Sequence, residues 1–119
     1  MTTIKLPDFD DMAKLIEEIS DTNLKRMMLD LEIKAKEAEI VRLSSTEDKY
    51  FVNGKPPSVA YLEATFRFTG MDSELITKRQ ALAELTARLE QYRLLYDLMK
   101  SKIDVWRSQT ANERVAIQS

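Results

Sequence analysis

From Ser73 to Ser119 the chain carries no glycine and no proline, and through this run Leu82, Leu85, Leu89, Tyr92, Tyr96, Met99, Ile103 and Trp106 recur at alternating three- and four-residue steps. An apolar line with that period is the a/d seam of a heptad pattern. Sustained for more than three heptads, it commits the segment to a long helix with a partner along one edge. A helix from Ser73 to about Gln109 would be roughly 55 Å long at 1.5 Å per residue. That length matches the whole N-terminal part of the chain laid antiparallel to it.

The breakers agree. The only glycines, Gly54 and Gly70, stand near the middle, and the prolines are Pro7, Pro56 and Pro57. They divide 1–119, read as one domain, into a helical part over 8–44, a loop over 45–57, a short helix over 58–69, a long helix over 72–109 and a polar tail over 110–119. The expected fold class is all-α: a long antiparallel helical hairpin, coiled-coil-like, with a short central loop and helix insert, assembled into an oligomeric helical bundle.

The first part begins after Pro7, with Asp8, Asp10 and Asp11 where carboxylates favour a helix N-terminus. Ser20, Asp21, Thr22 and Asn23 are cap-type residues in a row, so a break or kink is expected at 20–23. Beyond them Leu24, Met28, Leu31, Ala35 and Ala38 make one apolar stripe, while Leu29, Ile33, Ile40 and Leu43 make a second. The long helix also carries a second line, Leu94, Leu98 and Val105, with Leu95 between the two lines. Two helices can cover one seam of each partner but not both, and a second copy of the chain is the expected cover for the surplus. A homo-oligomer is therefore expected, with Leu82, Leu85, Leu89, Tyr92, Leu94, Tyr96, Leu98, Met99, Ile103 and Trp106 as its interface. A compact monomer with the insert folded across the helices is the alternative.

In the insert, Tyr50, Phe51 and Val52 have strand propensity, and Asn53-Gly54 suits the two positive-φ positions of a type I′ turn. The turn reads as half a hairpin, because Pro56 and Pro57 lack the N–H groups a partner strand needs. Ser58 or a proline then starts a helix that Gly70 ends, although Leu62, Ala64, Phe66 and Phe68 also alternate with polar residues like a strand. Tyr50, Phe51, Asn53 and Lys55 are the candidate partner-binding loop; the competing reading is that the aromatic residues fold down as core.

The chain has no Cys and no His. Disulfides, thiolate nucleophiles, zinc–thiolate sites and Ser-His-Asp chemistry are thereby excluded, and proton transfer falls to carboxylates, Lys and Tyr. The Asp8–Asp11 cluster lacks the spacing of a calcium loop, and two isolated glycines cannot cradle phosphates. No catalytic residue, cofactor or metal site is assigned. Charge is nearly balanced, 18 cations against 20 anions, so no global field gathers nucleic acid or anionic lipid. Arg79, Arg93, Lys100, Arg107 and Arg114 share one register, but Glu90, Asp97 and Asp104 stand three residues before Arg93, Lys100 and Arg107, and ion pairing is expected to neutralise the stripe. Lys100, Lys102, Arg107 and Arg114 remain as a basic end beside Trp106.

Met1 to Asp11 has no basic region followed by an apolar run, which argues against a secretory signal, and no segment reaches the roughly 20 apolar residues of a membrane span. A cytoplasmic protein off the membrane is expected. Its leading function is a non-enzymatic, self-associating scaffold or adaptor that presents helix ends and loops to a further protein partner. The second is an oligomeric nucleic-acid-binding accessory protein that sums weak contacts from the basic end.

Overall fold

The computed structural model describes residues 6–68 and 72–118. Within them the chain is all-helical: α1 spans Phe9–Leu43, a short 3-10 turn Asp48–Tyr50, α2 Val59–Phe68 and α3 Ser73–Gln118. No strand forms among the described residues; one isolated antiparallel bridge joins Val52 and Lys55.

Each helix start is closed by a side-chain cap. Asp8 accepts the Asp10 N–H through Oδ1 at 2.8 Å, and its carbonyl takes the Met12 N–H. Ser58 Oγ accepts from the Tyr61 N–H at 3.1 Å, and Asp72 Oδ1 from the Glu74 N–H at 2.8 Å. Each contact satisfies an N-terminal donor that the helix itself cannot. At the other end α1 stops without a glycine: the Ser44 hydroxyl donates to the Val41 carbonyl at 2.7 Å, and the Ser44 and Glu47 N–H groups close onto Ile40 and Leu43. The stop expected at Gly70 lies outside the described residues.

Two expectations are corrected. α1 does not break at Ser20–Asn23; it is helical throughout, with Thr22 buried. Four cap-type residues lose to packing once the turns on both sides have a face to bury. The long helix does not give way to a separate tail after Gln109, because α3 runs on to Gln118 and the Thr110 hydroxyl bonds back to the Trp106 carbonyl at 2.9 Å. The helix expected after Ser58 forms as α2, in place of the strand alternative, with Leu62 and Phe66 buried from one helical face.

The insert turn forms as its residues dictate. Asn53 and Gly54 take φ of 54° and 76°, and Val52 and Lys55 exchange both backbone bonds, at 2.8 and 3.1 Å. Pairing ends there, since Pro56 and Pro57 follow.

The chain divides into two compact units. One joins the stretch up to Asn23 with the stretch from Ala87 onward; the other is Leu24–Thr86. In the first, Met12, Leu15, Thr22 and Leu89 are buried, and Tyr92, Tyr96, Met99, Ile103 and Trp106 are half-buried. In the second, Ile33, Ile40, Tyr50, Leu62, Phe66 and Leu75 form one core, with Leu29, Leu43 and Leu82 against its edge.

Around that core Lys36 pairs with Glu74 at 3.1 Å, Lys78 with Glu32 at 3.2 Å, and the Arg79 guanidinium donates to the Glu37 carboxylate. Lys36 is held above the ordinary lysine value, chiefly by its hydrogen bond to Glu74, against a smaller opposing effect of burial. A raised lysine stabilises the fold fully below its unfolded value and loses that contribution only as pH rises through the folded one. The difference in urea midpoint between wild type and Lys36→Met is therefore expected to be the same at about pH 6 and about pH 8. It should shrink only in strongly alkaline solution.

Candidate functional site

The seam of α3 is spent inside the chain. Leu89 is buried and Leu82, Leu85, Tyr92, Tyr96, Met99, Ile103 and Trp106 are half-buried, so much of the seam's surface is already covered. Of the expected interface only Leu94 and Leu98, 60% and 52% exposed, face water; Leu95 and Val105 join them. The reason is geometric: seam positions point at the neighbouring helix, and residues at the third and sixth heptad positions point away.

On α1 the two stripes separate in the same manner. Ile33 and Ile40 are buried and Leu29 and Leu43 half-buried, whereas Leu24, Met28, Leu31, Ala35 and Ala38 are all exposed. Leu24, Met28 and Leu31 show 57%, 56% and 66% of their surface, with Met27 exposed beside them. Four large apolar side chains facing water within two turns is the most pronounced surface feature of Leu24–Thr86. Single exposed apolar residues are ordinary, but a contiguous row at heptad spacing marks an interaction face. Periodicity had exposed both stripes without deciding which turns inward. A usable signal was bulk, since the inner stripe keeps Ile40 and Leu43 where the outer one has only Ala35 and Ala38.

The candidate loop is broken up by burial. Tyr50 belongs to the core and Phe51 is half-buried, which leaves Asn53 and Lys55 exposed at the turn. Tyr50 packs into the core rather than presenting itself.

At the C-terminal end of α3, Trp106, Arg107, Thr110, Ala111 and Arg114 line a shallow depression of about 240 Å³. It brings together two of the four candidate cations; Lys100 and Lys102 are exposed but do not line it, and Lys100 sits 5.8 Å from the Tyr96 ring centre. Among the described residues no ion pair joins Glu90 to Arg93, Asp97 to Lys100 or Asp104 to Arg107. The expected neutralisation by contact is thus corrected: fully solvated long side chains gain too little from closing such pairs to hold them.

No cluster of three or more metal-ligating side chains occurs among the described residues, and no described helix is long and apolar enough to cross a membrane. The Asp8–Asp11 carboxylates act at the helix start. No family model, curated protein or solved structure matches the chain.

Proposed function

We propose that this protein is a non-enzymatic helical scaffold that associates with itself and works by presenting surfaces in fixed multiples. The observation that carries this reading is the water-facing heptad stripe of α1, with Leu24, Met28 and Leu31 each more than half exposed on the side of the helix away from the core. The architecture we assign is the antiparallel, coiled-coil-like hairpin. It is supported within Leu24–Thr86 by ion pairs in reversed order, Lys36 with Glu74 and Glu32 with Lys78. The stripes left over on α1 and α3, rather than the seam, are where assembly is placed. The absence of His and Cys supports a role without catalysis and a reducing, cytoplasmic setting.

A second reading rests on the depression at Trp106, Arg107 and Arg114, whose cations and indole suit a single-stranded nucleic acid. One pair of experiments separates the two. Sedimentation velocity over a range of micromolar concentrations is expected to show the mean mass rising above that of the monomer. A gel shift with single-stranded RNA at about 50 mM salt is expected to show no retardation. A constant monomer mass with a retarded band that Arg107→Glu abolishes would reverse the order.

A further inference from the structure

The outer stripe of α1 can be asked what would cover it. From Leu24 to Ala38 it is about 21 Å long, and its sequence is unequal end to end: Leu24, Met28 and Leu31 are large, Ala35 and Ala38 small, and all five are exposed. Facing helices pack best when large residues of one meet small residues of the other. Two parallel copies in register would stack Leu on Leu, Met on Met and Ala on Ala, forcing the helices apart at one end and leaving gaps at the other. Reversing one copy about the middle of the stripe sets large against small at both ends.

We propose that this face is covered by α1 of a second copy, laid antiparallel about a two-fold axis near Leu29 and Asp30. Leu24 of each chain then faces Ala35 of the other, and Met28 faces Leu31. This inference rests on the self-association proposed above and names its partner and register. The flanking charges select that register. It sets Lys25 of each copy beside Glu32 of the other, once on each side of the axis; both residues are exposed. Glu32 already accepts from Lys78 through Oε2, yet its side chain remains 56% exposed, so the carboxylate can take a second cation. The other antiparallel alignment, with Met28 against Ala38, sets Leu24 against Arg42 and places Glu32 opposite Glu32 and Lys34 opposite Lys34, and like charges at close range disfavour it. A patch that complements itself under a two-fold rotation is what a symmetric dimer requires.

The contact is short beside the roughly 800 Å² per partner of a standard interface, so the dimer is expected to be weak, with Kd on the order of 10 µM. Sedimentation equilibrium of the full chain should give a monomer–dimer isotherm of that strength. Leu31→Asp should weaken it at least tenfold while circular dichroism stays at the wild-type value, because Leu31 touches no core. The cysteine-free chain permits a direct reading of register. Leu24→Cys mixed with Ala35→Cys should form a disulfide-linked dimer in a glutathione buffer, and Leu24→Cys alone should not, since its two copies would stand about 16 Å apart along the axis.

A wild-type chain that stays monomeric up to the highest attainable concentration overturns both the self-association reading and this inference. A dimer that survives Leu31→Asp but is lost on Leu98→Asp keeps self-association and overturns this face. Efficient cross-linking of Leu24→Cys to itself overturns the antiparallel register.

Discussion

Ile40→Asp is expected to abolish the folded core of Leu24–Thr86. Ile40 is 0% exposed and belongs to the apolar cluster of Ile33, Tyr50, Leu62, Phe66 and Leu75. A carboxylate placed there loses its water and must either remain charged at a cost of several kcal/mol or take up a proton. Against a total stability of about 5–15 kcal/mol for an ordinary domain, that loss is decisive. Ile40→Val is the measured contrast, expected to cost about 1 kcal/mol for one methylene and its small cavity. Leu31→Asp is the sharper one: on the water-facing side of the same helix, it is expected to change stability by less than about 0.5 kcal/mol. Urea denaturation followed by circular dichroism tests all three. Equal midpoints for Ile40→Asp and Leu31→Asp would mean that the inner and outer stripes of α1 have been exchanged.

That contrast also locates the limit of what the sequence discloses. The seam from Leu82 to Trp106 was legible because one apolar line repeats without competition over a long breaker-free run, and the structure covers every one of its residues to some degree. Asp8 and Ser58 were legible because a cap depends on one side chain and the next few N–H groups. Asn53-Gly54 was legible because few other residue pairs accept positive φ twice in succession. The orientation of α1 was not. Its two stripes share one period, and although the inner one is bulkier at Ile40 and Leu43, the choice between them is made by the insert, which delivers Tyr50, Leu62 and Phe66 to one side only. A local pattern cannot encode which face a remote segment will reach. The same remoteness explains Ser20–Asn23, where cap propensity worth about 1 kcal/mol per site is outweighed by burying the turns on either side. It also explains Tyr50, whose composition suited a docking loop until the core claimed it. The outer stripe of α1 is thus a consequence of the fold. Once the insert has chosen its side, Leu24, Met28 and Leu31 are left facing water.

Gln91→Pro is expected to produce the second large loss. Gln91 is exposed in the middle of α3, a helix of 46 residues, and its side chain points away from the seam between buried Leu89 and half-buried Tyr92. Proline there removes the N–H that bonds to the Ala87 carbonyl and drives its ring into the same carbonyl, at a cost of about 3 kcal/mol or more. The substitution touches no buried side chain, so any effect reports on backbone continuity alone. Gln91→Ala supplies the control, with a better helix former on the same exposed face and a midpoint expected within about 0.5 kcal/mol of wild type. Circular dichroism should show the proline variant losing helical signal, and amide exchange should accelerate on both sides of residue 91, because a kink tilts the seam positions that follow it away from the face they share with Leu89. A proline variant that unfolds at the wild-type midpoint with unchanged exchange would place a natural break near residue 91. The heptad line from Leu82 to Trp106 would then belong to two helices that meet, instead of one that runs through.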